Sequence, residues 1–166
     1  MNKKNLFGFT LIELLIVIII LGVLAALISG NFITSLKKGR DARRKADLEQ
    51  IQRALEMYYE DKRAYPTQAA DPGFPFAGKF CETGSCVSTE KIYMQKVPND
   101  PINSYSYQYQ SDGSYYRLFS CIENNLDQGP GVSQNGFAGA LGNCNCEKCR
   151  YTISSPNITP LPTSTP

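Results

Sequence analysis

Between Phe9 and Ile28 every residue is apolar or small except Thr10 and Glu13. A run of about 20 such residues is long enough to cross a hydrocarbon core of roughly 30 Å as a helix. Cleaved secretory signals have a shorter apolar region with small residues at its C-terminal end. Here the small-residue candidate for cleavage, Gly8, precedes the run, so the run is expected to stay in the mature protein. Glu13 then needs a reason. A lone ionisable group at membrane depth costs about 2.5–3.5 kcal/mol on insertion scales, and it marks a functional position that requires a partner.

The flanks supply one. Lys3 and Lys4 precede Gly8, which is followed by Phe9-Thr10-Leu11-Ile12-Glu13. A basic leader, a glycine, an aromatic and a carboxylate at this offset closely resemble the class III leader of type IV prepilins and type II secretion pseudopilins. The resemblance covers the first thirty or so residues tightly and the following helix loosely. It implies that a membrane-embedded prepilin peptidase cuts after Gly8 and N-methylates Phe9. It also implies a leader on the cytoplasmic side and a head outside. In a filament of parallel, staggered anchors, the Phe9 amine of one subunit would meet Glu13 of a neighbour. Misregistered packing would leave both charges unpaired, which is the costly case. Gly22 matches the first of two helix-breaking positions common in the family, and Gly30 stands where a proline is usual.

Charge alone gives a different orientation. Lys37, Lys38, Arg40, Arg43, Arg44 and Lys45, against Asp41 and Asp47, outnumber the basic groups of the leader. The positive-inside tendency would place that side in the cytoplasm. The resemblance implies the reverse, and the cysteines of the second half agree with an exported domain. The same basic segment is expected to be a solvated helix face near anionic headgroups. A nucleic-acid strip is the alternative, but no aromatic residues interleave there to stack on bases.

Leu48, Ile51, Leu55 and Tyr58 recur at helical spacing. Lys37–Asp41, Asp41–Lys45, Arg43–Asp47, Lys45–Glu49 and Glu49–Arg53 stand four apart and are expected to pair along the helix. Pro66 bars continuation. One helix is therefore expected from near Phe9 to near Ala64, roughly 80 Å long.

From Tyr65 to about Ile153 the texture becomes Gly, Pro, Asn, Ser and aromatics. Ser104–Gln110 alternates with period two and is followed by Asp112-Gly113, then Ser114–Cys121, a hairpin pattern. A two-residue loop would pair Tyr109 with Tyr116 and Tyr107 with Leu118, facing Leu48, Ile51 and Leu55. The tyrosine row reads as a core face rather than a carbohydrate platform. Arg150–Ile153 is a further strand candidate. The expected fold class is α+β, a long helix against a small antiparallel sheet, which is also the pilin fold that the resemblance implies. The expected divisions are leader 1–8, assembly helix 9–31, stem 32–64, cysteine-containing head 65–153 and Pro/Ser/Thr-rich tail 154–166.

All six cysteines lie in the second half. Cys81 is expected to pair with Cys86, and Cys121 with Cys144, Cys146 or Cys149; six cysteines permit fifteen pairings in all. A four-thiolate metal site at Cys121, Cys144, Cys146 and Cys149 is the alternative. The uncharged tail is expected to be extended or disordered, and Asn157-Ile158-Thr159 fits a glycosylation sequon.

The chain has no histidine and a formal net charge of +2. The commonest general base is therefore missing. No nucleophile–base pair, carboxylate dyad or phosphate loop stands out, so no enzyme, cofactor or metal is expected, and no specific nucleic acid. The resulting reading is a structural filament subunit. Its expected partners are its own copies or other pilins and pseudopilins, the prepilin peptidase, the assembly machinery and the membrane. It is a single-pass membrane protein before assembly and part of an extracellular filament afterwards. The rival reading is a signal-anchored extracellular binding domain that does not polymerise.

Overall fold

The computed structural model describes residues 8–67, 74–83, 86–137, 144–159 and 161. The leader lysines Lys3 and Lys4 and the end of the tail lie outside them. Two compact units divide the chain, Met1–Lys37 and Lys38–Pro166. One helix, α1, runs over Leu11–Lys62, 52 residues. It is continuous through Gly22 and Gly30, because a single glycine costs a helix only about 1 kcal/mol. The helix stops before Ala64. Arg63 adopts a left-handed φ of 56° while its N–H still donates to the Tyr59 carbonyl at 2.8 Å. That closes the last turn in the manner of a left-handed cap, ahead of the stop that Pro66 would impose.

In the second unit, β1 (Phe80–Cys81) pairs antiparallel with β2 (Ile92–Met94), and a separate antiparallel sheet has the order β3 (Gln108–Ser111), β4 (Tyr116–Ser120), β5 (Tyr151–Ser154). The fold is α+β, with a long N-terminal helix and small antiparallel sheets.

The β3–β4 register differs from the expected one by two residues. Tyr109 pairs with Leu118 and Ser111 with Tyr116, so the connection holds four residues rather than two. Asp112 explains this. Its Oδ1 accepts from the Ser114 N–H at 2.8 Å, the Ser114 hydroxyl at 2.7 Å and the Tyr115 N–H at 3.3 Å. The side chain thereby organises a wider loop around Gly113, whose φ is +96°. A slip of two leaves each side chain on its expected face, because strand side chains alternate with period two.

That alternation gives the sheet two apolar faces. Tyr109, Tyr116, Leu118 and Tyr151 join Leu48, Ile51, Ala54, Leu55 and Tyr107 in the main core. On the opposite face Phe119 packs with Phe137, Cys121, Cys144 and Cys149. Buried tyrosine hydroxyls usually find a partner, and four tyrosines of the head find theirs on the helix. Tyr107 donates to Asp47 at 2.8 Å, Tyr116 and Tyr65 to Glu56 at 2.8 and 3.0 Å, and Tyr93 to Asp61 at 2.8 Å. Three helix carboxylates thus hold four tyrosines of the head.

The start of the tail, at 155–159 and 161, is held against the head, and the rest of it lies outside the described residues. The Ser155 N–H donates to the Tyr116 carbonyl at 3.1 Å, and Leu161 packs on the cysteine cluster. Strand pairing continues one residue past β5, and the apolar cluster offers Leu161 cover.

The cysteines form three disulfides: Cys81–Cys86, Cys121–Cys146 and Cys144–Cys149. This is the stapled arrangement, not the four-thiolate metal site. Cys121–Cys146 closes 25 residues and each of the others five. In the chain-entropy account the long loop contributes about 3–4 kcal/mol and a short one about 2 kcal/mol. Replacing Cys121 and Cys146 together by serine is therefore expected to lower the denaturation midpoint more than replacing Cys81 and Cys86. Non-reducing mass spectrometry of the unaltered protein should show the loss of six thiol hydrogens.

Candidate functional site

The apolar span Leu11–Ile28 has a mean hydropathy of 3.2, and none of it is buried among the described residues. It is long and apolar enough to cross a membrane. Phe9 stands 86% exposed at its start. Among the described residues, Gly8 has open space where a side chain would project.

Glu13 is bonded within its own chain. Its Oε2 accepts from the Thr10 N–H at 2.8 Å and from the Thr10 hydroxyl at 2.7 Å, and the Glu13 N–H lies 3.3 Å from Thr10 Oγ1. With the helix beginning at Leu11, Thr10 is the N-cap and Glu13 the third residue, a reciprocal capping box. The pattern Thr-x-x-Glu was present in the sequence and carries this role. The box satisfies two of the first turn's free N–H groups, those of Thr10 and Glu13, and partners Glu13 while the subunit is alone.

The second unit holds a charged network that the helical spacing did not predict. Arg44 is fully buried. It grips Asp100 with two bonds, Nε to Oδ2 at 2.8 Å and Nη2 to Oδ1 at 3.0 Å. Its Nη1 also reaches Asp41 at 2.7 Å and Glu123 at 2.8 Å. Arg40 adds a fork to Glu123, at 2.8 and 2.5 Å. Asp41 in turn accepts the backbone N–H groups of Glu123 and Asn124 at 3.0 and 2.8 Å, and Lys45 pairs with Asp127 at 2.6 Å. Of the expected i,i+4 pairs, Arg43–Asp47 forms at 3.9 Å. Asp41 and Lys45 turn instead to residues of the head.

This corrects the reading of Lys37–Lys45 as a solvated basic face. Arg40, Arg44 and Lys45 are neutralised by the head, and only part of the segment faces solvent. One signal in the sequence pointed here: Arg44, Leu48, Ile51 and Leu55 lie at steps of four, three and four, so Arg44 sits on the apolar stripe.

Electrostatics follow from this packing. Hydrogen bonds from Arg40, then from Arg44, outweigh burial and hold the Glu123 carboxyl at about 2, against an ordinary 4.5. Burial opposes the Arg44 charge, but Asp100, Glu123 and Asp41 overcome it and raise its pKa. Burial raises Asp47. A depressed carboxylate contributes stability that is complete above its unfolded value and lost as pH falls through the folded one. The Glu123 contribution should therefore persist above about pH 4.5 and disappear toward pH 2. Asp47 acts with the opposite sign. Acid titration of unfolding should show this loss, and Glu123→Gln should flatten it.

Residues 3–29 match the family model described as the prokaryotic N-terminal methylation motif, and residues 31–135 match that of type II secretion system (T2SS), protein G. The type II secretion system core protein G of Klebsiella pneumoniae is 34% identical over 116 residues, 65% of this chain and 76% of that protein. The core protein G of Vibrio cholerae is 27% identical over 155 residues, covering 89% and 96%. That of Pectobacterium carotovorum is 30% identical over 147 residues, covering 85% and 86%. No solved structure gives a significant match. The methylation motif coincides with the capped, uncovered helix start, and the protein G match runs from the stem through β4 to the network around Glu123; the chain belongs to the type II secretion system protein G family.

Proposed function

We propose that this chain is made as a precursor, cut after Gly8 by a prepilin peptidase and N-methylated at Phe9. It then polymerises into a pseudopilus through the helix that begins at Phe9. Its role is structural. The leader faces the cytoplasm and the disulfide-stapled head lies outside. Its partners are further copies or other pseudopilins and the secretion assembly machinery. The observation that carries this reading is the unburied apolar span directly after the Gly8–Phe9 junction. Such a face is stable only in lipid or against other apolar helices.

In a filament the Phe9 amine of one subunit meets Glu13 of its neighbour, and Glu13 exchanges part of its Thr10 box for that ion pair. A signal-anchored binding domain that stays monomeric would keep its leader and would tolerate neutral replacement of Glu13. Intact-mass analysis of protein from cells with active peptidase tests the proposal. The expected chain begins at Phe9 with one added methyl group. Recovery of a chain that still begins at Met1 would overturn it.

A further inference from the structure

Phe32, Ile33 and Leu36 are exposed, yet they follow the span Leu11–Ile28. Eighteen residues rise about 27 Å, which nearly fills a hydrocarbon core of roughly 30 Å. Leu36 stands eight residues further on, about 12 Å beyond Ile28 along the helix. The hydrocarbon that covers the span therefore does not cover this stripe.

The second unit carries an open groove of about 640 Å³, walled by Gln50, Arg53, Ala54 and Met57 of α1 and by Tyr93 and Met94 of β2. Met57 is 49% exposed there. Methionine adapts its shape to apolar partners and is common on surfaces that receive them.

We propose that this groove receives the Phe32–Leu36 stripe of a second copy of the chain; the inference rests on the polymerising role proposed above. Charge supports this occupant. Lys37 and Lys38 directly follow the stripe, are exposed, and carry no ion pair among the described residues. Glu60 follows Met57 by three residues, and Asp61 beside it is already paired with Lys91. Glu60 is 72% exposed and, among the described residues, has only a 3.6 Å pair with Arg63. With two helices parallel and Leu36 of one over Met57 of the other, a copy further along the filament than the neighbour whose Phe9 meets Glu13, the two lysines reach the turn that carries Glu60. The contact is heterologous, stripe to groove. Each pairing leaves one stripe and one groove free, the condition for an open filament rather than a closed dimer.

The test is a photo-crosslinking residue at Met57 in the full chain, expressed with its own assembly machinery as a mixture of isotopically light and heavy copies. The expected product joins position 57 of one copy to residues 32–38 of another. In parallel, Met57→Glu should cut filament yield about tenfold at an unchanged level of processed subunit, and Met57→Leu should restore it. Lys37→Glu with Lys38→Glu should also lower yield, and Glu60→Lys should recover part of it. Crosslinks to lipid, to a different polypeptide or elsewhere on the second copy overturn the inference, as does normal yield from Met57→Glu. Those results leave polymerisation standing. If the unaltered processed chain forms no filament at all, the proposed function and this inference fall together.

Discussion

Arg44→Ala should destabilise the head by about 3–5 kcal/mol, the usual cost of removing one partner from a buried ion pair. The guanidinium is fully buried and makes four hydrogen bonds to three carboxylates. Alanine would leave Asp100 almost without solvent and without its partner. It would also free Asp41, which orders the backbone at Glu123 and Asn124. Arg44→Lys should rescue little, because an ammonium cannot reproduce the two-pronged grip on Asp100. For a chain of this size the change corresponds to a fall in melting temperature of about 10 °C or more. Thermal unfolding followed by circular dichroism measures it. Removing Asp100 as well, as in Arg44→Met with Asp100→Leu, should cost less than Arg44→Ala alone, because Glu123 keeps Arg40 and Asp41 keeps its backbone N–H donors. A loss below about 1 kcal/mol for Arg44→Ala would show that water reaches the site and that the network is not the strut described here.

Glu13→Leu should abolish filaments while leaving processed subunit in the membrane. The substitution removes a carboxylate whose insertion costs about 2.5–3.5 kcal/mol. It also removes the capping box, a loss of about 1 kcal/mol. Insertion should therefore not suffer, and cleavage after Gly8 lies outside the change. Polymerisation should fail, because each incoming subunit would bury an unpaired Phe9 amine. Glu13→Gln should be milder, since an amide still accepts a hydrogen bond. Thr10→Ala separates the two roles of Glu13. It breaks the box seen in the structure but keeps the charge. Sheared filament, set against processed subunit in the membrane, is the readout. Near-normal filaments from Thr10→Ala alongside none from Glu13→Leu would support the register mechanism. Equal loss from both would assign Glu13 to helix capping, and normal filaments from Glu13→Leu would end the register mechanism.

The sequence alone determined the long helix, the uncovered apolar span and the processing motif. Each is local: an unbroken apolar run, a three-to-four residue stripe and a short motif beside Gly8. It also placed Tyr109, Tyr116 and Leu118 on the helix-facing side of the sheet, because strand periodicity survives a register slip of two. The register itself was decided by the Asp112 side chain bonding inside the loop. The pairing of Cys121 with Cys146 rather than Cys144 or Cys149 was decided only when the sheet's outer face brought these residues together. Arg44 is the clearest division. Its place on the apolar stripe was visible, but its partners Asp100 and Glu123 lie 56 and 79 residues along the chain. Helical spacing assigned the charges of this segment to one another, each pair worth about 0.2–0.5 kcal/mol in water. Folding brought carboxylates of the head against the helix and excluded water, where a paired charge is held more strongly and an unpaired one is costly. Which cation met which carboxylate was therefore settled by tertiary packing, whose stakes are several times larger than those of the local pairs it displaced.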